Sequence, residues 1–137
     1  MQNPPPVQTA TKSSTGLDEN IAALLSYLLG WVGGLIFFLI EKDSRLVRFH
    51  AMQSILLSAV AAVVGFVLWI LSLILAIIGS ALADALGALV WILAMLVFCV
   101  FGLALLVGAI LCMVKAFQGQ YFKLPVIGNF AEKFSAK

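Results

Sequence analysis

The chain has 137 residues, of which 64% are hydrophobic and 10% charged, against about 45–50% apolar and about 25% charged in an ordinary soluble domain. No water-soluble packing of this length hides that much apolar surface, so the composition excludes a soluble globular domain. The net charge of +2 comes from eight scattered basic residues, which leaves nucleic-acid binding without an electrostatic footprint.

Residues 1–16 contain Pro4, Pro5 and Pro6 and no apolar core, so they read as a flexible tail rather than a signal peptide. A helix is expected from Leu17, with the Thr15 hydroxyl as cap and Asp18 near the positive end of the dipole. Ile21 to Ile40 carries no charge over a length sufficient to cross a hydrocarbon core, so a first span is expected over 17–40. Gly30, Gly33 and Gly34 interrupt it and admit two readings. In one, Gly30 and Gly34 form a small-residue step for close helix packing. In the other, they break the segment into a re-entrant hairpin.

A charged turn, Glu41 to Arg45, precedes a second span over 45–78, which starts near Ser44 and exceeds the ~20 residues needed to cross. Its first two turns carry Arg48, His50, Gln53 and Ser54, and positions 50, 53 and 54 share a helical face. These four residues form a candidate interaction cluster for a headgroup, an ion or a partner. The structural alternative is that they bond to water, the preceding turn or another helix.

A short connection containing Asp84 leads into a third span over 85–117. Ala61 and Gly65 on the second span, and Ala104 and Gly108 on the third, offer further small-residue packing steps. Trp69 and Trp91 fall towards the same end and suit an interfacial belt. Cys99 and Cys112 lie about 20 Å apart on one helix, too far for a disulfide, and read as packing residues. From Gly119 the pattern changes. Pro125 can start a short helix on which Val126, Ile127, Phe130, Ala131 and Phe134 recur on one face, giving an amphipathic C-terminal segment over 119–137, too short to span.

The fold class is therefore all-α: a multi-pass integral membrane protein with three transmembrane helices over 17–118 and an interfacial C-terminal segment. Basic residues flank the first turn and the C-terminus and are missing from the second connection, which places the C-terminus in the cytoplasm. One histidine, no paired intramembrane carboxylates and no Cys or His metal pattern leave no basis for an enzyme, a cofactor or a metal. The partners expected are the lipid bilayer and a homo-oligomer or other membrane proteins.

The stretch LDENIAALLSYLLGWVGGLIFFLIEKDS, then RFHAMQSILL and KAFQGQYFKLPVIG, resembles small bacterial inner-membrane proteins of a domain-of-unknown-function family related to the twenty-kilodalton Tic subunit of chloroplast protein import. Phe49, His50, Ala51, Gln53, Ser54, Gly119, Tyr121 and Pro125 carry the resemblance most specifically. It implies a helical membrane subunit or adaptor around protein translocation or insertion, and no catalytic residues. A small oligomeric channel or carrier is the competing reading.

Overall fold

The computed structural model describes residues 11–136. Its helices are α1 (Glu19–Leu28), α2 (Gly30–Ile40), α3 (Arg45–Leu82), α4 (Asp84–Phe117) and α5 (Ile127–Ser135). They distribute over two compact units. One comprises the chain up to Leu57 and from Leu111 onward, and the other Ser58–Ile110.

In the first unit, the segment expected to be a single span over 17–40 is two short helices that fold back on each other. Leu29 ends α1, and Gly30 opens α2 at φ +62°, a left-handed conformation that costs other residues about 1–2 kcal/mol. A Cβ on Gly33 would lie 2.9 Å from the Leu25 carbonyl oxygen, a proximity no continuous helix gives to residues eight apart. The two ends of the hairpin meet: Glu19 at the start of α1 accepts a 2.8 Å hydrogen bond from the hydroxyl of Ser44, just past α2. Helices of 10 and 11 residues reach only ~15–17 Å each, about half a hydrocarbon core. The glycines act here as a hinge and a contact, which is the hairpin reading.

Gly34 is the contact. A Cβ there would stand 2.7 Å from the Ala51 carbonyl oxygen and 3.1 Å from Ile55 on α3. Gly30, by contrast, has open space where a side chain would be, so its role is conformational and the two glycines do not form one packing step. Ala22, Ala23, Tyr27, Phe37, Leu46, Val47, Ala51, Cys112 and Ala116 form the buried core of this unit.

Residues 11–16, expected as the end of a flexible tail, make a folded turn; residues 1–10 of that tail lie outside the described residues. Thr15 does not cap α1. Its hydroxyl pairs with that of Ser13 at 2.6 Å, and Asp18 stands at the cap position without a side-chain capping bond, its carboxylate facing Lys12 at 3.4 Å instead. The start of α3 is better defined, because Val47 N–H donates to the Ser44 hydroxyl at 3.3 Å and Arg48 N–H to the Ser44 carbonyl at 3.2 Å, which makes Ser44 its N-cap.

The second unit is an antiparallel pair formed by the remainder of α3 and α4, turning through Ala83. Gly79 and Gly87 let the backbones cross closely there, since a Cβ on Gly87 would overlap the Ser80 hydroxyl. The turn holds Asp84, in the first turn of α4, where the dipole favours a carboxylate. Gly65 approaches Phe101 only loosely, at 3.9 Å, and Gly102 and Gly108 face nothing within 4 Å. At the expected packing step of Ala104 and Gly108, the glycine thus makes no close contact among the described residues. Trp69 and Trp91 wall a shared apolar cavity of about 610 Å³ with Met95 and Phe98.

Both α3 and α4 are long and apolar enough to cross a membrane. Within their most apolar windows only 6% and 0% of the residues are buried, so neither is the interior helix of a soluble protein, and an apolar solvent must cover them.

Candidate functional site

The polar residues at the start of α3 converge with α1, α4 and the segment between α4 and α5. His50, Gln53 and Ser54 are buried and Arg48 is half-buried. They point to separate tasks. Ser54 donates to the Gly30 carbonyl at 3.1 Å and so ties α3 to the first residue of α2. The guanidinium of Arg48 donates to the carbonyls of Glu41 at 2.8 Å, Phe38 at 3.3 Å and Ser135 at 3.4 Å, and lies 4.5 Å from the Phe38 ring centroid.

His50 and Gln53 belong to a chain of hydrogen bonds whose directions follow from the chemistry of the groups. His50 Nε2 lies 2.8 Å from the Gln120 carbonyl, which can only accept, so Nε2 carries the proton. Nδ1 then accepts from the Tyr27 hydroxyl at 2.9 Å. The Tyr27 oxygen in turn accepts from Gln53 Nε2 at 2.9 Å. The second amide hydrogen of Gln53 goes to the Phe122 carbonyl at 2.9 Å, and its Oε1 accepts from Leu124 N–H at 3.3 Å. Among the described residues no buried side-chain nitrogen or oxygen lacks a partner.

This network binds residues 120–124, an irregular strap between α4 and α5, to α3. The strap ends in a tight turn: Ile127 N–H donates to the Pro125 carbonyl at 2.7 Å across Val126, held at φ 65° and ψ −55°. That is the positive-φ γ-turn, a strained conformation, and rarer still for a β-branched residue. It delays α5 to Ile127, two residues beyond the proline expected to begin it. Sequence reasoning singled out His50 and Gln53 but not Tyr27, Gln120, Phe122 or Leu124. A tyrosine hydroxyl one helix away left a weak signal; backbone groups of the strap left none.

A second polar network closes the open end of the hairpin. Glu41 is buried and accepts from Ser14 N–H, the Ser14 hydroxyl, Asp43 N–H and Ser44 N–H at 2.8–3.1 Å. Burial pushes its carboxyl up, but these donors outweigh burial and hold it below the usual carboxylate range. Tyr121 moves the other way, raised by burial and by the charge of Glu19 against an opposing pull from Arg45.

α5 is amphipathic, but its apolar residues divide between two faces. Gly128 and Ala131 turn inward, and a Cβ on Gly128 would stand 2.5 Å from that of Lys123. Val126, Phe130 and Phe134 form an exposed ridge, with the two phenylalanine rings stacked at 6.4 Å. The ends of α5 and α3 also enclose a polar cavity of about 340 Å³ lined by Lys42, Asp43, Arg45, Arg48, Ser135 and Ala136. Among the described residues no group of three or more His, Cys, Asp or Glu is placed to hold a metal ion.

Comparison with known proteins replaces the expected resemblance. A model of the magnetosome magnetite crystal formation protein family matches residues 17–131. A UPF0132 membrane protein of Methanocaldococcus jannaschii is 44% identical over 124 residues, covering 90% of this chain and 94% of its own length. A UPF0132 membrane protein of Archaeoglobus fulgidus is 37% identical over 117 residues, covering 85% and 95%. No solved structure matches. Neither the chloroplast import subunit nor a bacterial family is what these comparisons support: the family model is that of magnetite crystal formation proteins and the two relatives above are archaeal. The relatives are named as membrane proteins, in agreement with the two long apolar helices. With a family model covering most of its length and relatives this similar, the chain belongs to the magnetosome magnetite crystal formation protein family.

Proposed function

We propose that the protein is a non-enzymatic membrane scaffold that crosses the bilayer twice, through α3 and α4, and presents a braced polar cap on the cytoplasmic side as the docking element of a membrane complex. The observation that carries this reading is the use made of Tyr27, His50 and Gln53. Their hydrogen bonds hold the strap that leads to α5 against the start of α3, which braces the cap. The basic residues support the orientation: among the described residues all of them, from Lys12 to Lys133, lie in the first unit and none in Ser58–Ile110, a charge bias that favours a cytoplasmic cap. The half-length hairpin of α1 and α2 then enters and leaves on the cap side, as irregular backbone at membrane depth requires protein cover.

The partner is a second copy or another membrane protein. The family description speaks of magnetite crystal formation, and the archaeal relatives are named only as membrane proteins. The reading for this chain is accordingly the scaffold in general and not one process. Purification from native membranes in mild detergent tests it: a stoichiometric protein partner or homo-oligomer is expected, together with no ion or solute flux in liposomes. Flux from the purified chain alone would defeat the scaffold and favour an oligomeric channel.

A further inference from the structure

The uncharged parts of α3 and α4 are longer than a bilayer can take. Arg48 is the last charged residue of α3, and α4 carries only Asp84 and Lys115. From Arg48 to Leu82 α3 runs for ~51 Å, and from Asp84 to Lys115 α4 runs for ~47 Å, against a hydrocarbon core of about 30 Å. Fitting either run inside the core takes a tilt of ~50° or more, outside the range of about 0–40° that spanning helices adopt. Part of this apolar surface therefore stands beyond the lipid tails.

The tryptophans mark the end at which it does. Trp69 stands ~32 Å along α3 from Arg48, and Trp91 ~36 Å along α4 from Lys115. Each is about one hydrocarbon core away from the charged residue that ends the apolar run, and tryptophan concentrates at the headgroup boundary. Both side chains are half exposed and wall the cavity of about 610 Å³. The hydroxyl of Ser72 in its lining is bonded to the Leu68 carbonyl at 2.7 Å, which leaves the indole N–H groups, donors that headgroup-level water satisfies. Past the tryptophans the hairpin continues to its turn at Ala83. Leu71, Ile74, Ile77, Ile78, Leu82 and Leu86 are exposed there, and Asp84 is the one charged residue between Trp69 and Trp91. An apolar surface of this kind standing in water marks a protein interface.

We propose that the end of the α3–α4 hairpin beyond Trp69 and Trp91 is an interface with a second copy of this chain. A neighbour inserted in the same orientation presents the same uncharged surface at the same height, and the core of an interface is depleted of charge in just this way. Asp84, at the turn, stays in water on the rim. The inference rests on the crossing of α3 and α4 proposed above, and not on what the cap docks.

Two measurements on the purified full chain in dioleoylphosphatidylcholine vesicles test it. With Trp31→Phe, Trp69 and Trp91 are the remaining tryptophans, and lipid brominated near the headgroup should quench them more than lipid brominated near the chain ends. The reverse order would put the hairpin end inside the lipid and overturn the proposal. Ile74→Cys, Ile77→Cys, Ile78→Cys and Leu82→Cys, each made singly with Cys99→Ser and Cys112→Ala, are then oxidised with copper phenanthroline. The most reactive should give about tenfold more disulfide-linked dimer than Leu103→Cys, exposed on the spanning part of α4, the ratio of a contact preference of ~1.4 kcal/mol. Equal linking at all five positions, or none, would overturn it. In native membranes, links from the hairpin to a different protein in place of the self-link would assign the surface to that protein and overturn the second copy. If the cysteine variants do not accumulate, photobleaching of N-terminally labelled wild type in the same vesicles decides: paired steps are expected, and single steps alone would defeat the dimer. Failure of the crossing itself is read separately, from an Asp84→Cys that no impermeant reagent reaches from outside the cell.

Discussion

Gln53 shows what burial does to a residue that looks like a surface contact in sequence. With no exposed area, its amide completes hydrogen bonds to Tyr27, Phe122 and Leu124 that water cannot supply. Gln53→Leu therefore strands the Phe122 carbonyl and the Leu124 amide, at about 1–3 kcal/mol for each buried group left unpaired. A lowered thermal midpoint in detergent, together with faster amide exchange over residues 120–124, is the expected result; unchanged exchange would show that the strap holds without it. His50 and Gln53 stood out in sequence because polar side chains at the mouth of an apolar helix are conspicuous. Their partners stayed hidden because two are carbonyls and one an N–H of a strap whose path is a tertiary property. The small residues were equally ambiguous, since a glycine that hinges and a glycine that packs look alike. Gly34→Ala should destabilise by about 1–3 kcal/mol, because its Cβ would press on the backbone of Ala51. Gly108→Ala should be neutral or stabilise by up to about 1 kcal/mol, the helix-propensity gain where space is open. The difference between their unfolding midpoints in one detergent checks both.

At the scale of elements, the open end of the α1–α2 hairpin depends on charge. Glu41 has its carboxyl held below the usual range by four donors. A depressed pKa contributes stability that is present above the ordinary carboxylate value, about 4.3, and lost as the pH falls through the folded value. Acidification below about pH 4 should loosen the turn of residues 13–19 from 41–45, seen as faster exchange of the Ser14 and Ser44 amides. Glu41→Gln should already be loosened at neutral pH and respond much less to acid. A wild type insensitive to acid in that range would show that the carboxylate is not the clasp. The hairpin itself was legible as one of two meanings of Gly30, Gly33 and Gly34, and periodicity could not choose, since both meanings need the same apolar residues. The clasp was not legible, because Ser14 and Glu41 are distant in sequence. The apolar face of α5 was recognised as a whole, and its division into an inward side at Gly128 and Ala131 and an outward ridge at Phe130 and Phe134 follows from where the strap delivers the helix.

For the whole molecule, composition alone was decisive about the solvent: 64% hydrophobic residues and two long helices with scarcely a buried residue in their most apolar windows require lipid. The number of crossings was not decided by composition, because 17–40 is long enough to span and is instead divided at Gly30. Topology is accordingly the central claim, and cysteine accessibility tests it most directly. In a chain with Cys99→Ser and Cys112→Ala, single cysteines at the exposed positions Thr15, Asp43 and Asp84 are treated with an impermeant thiol reagent, in intact cells and in inverted vesicles. Thr15→Cys and Asp43→Cys should be protected in cells and labelled in inverted vesicles, with Asp84→Cys the reverse. Labelling of Thr15→Cys from the outside, together with Asp84→Cys and opposite to Asp43→Cys, would mean that the first segment crosses the membrane, and the two-crossing account would be wrong.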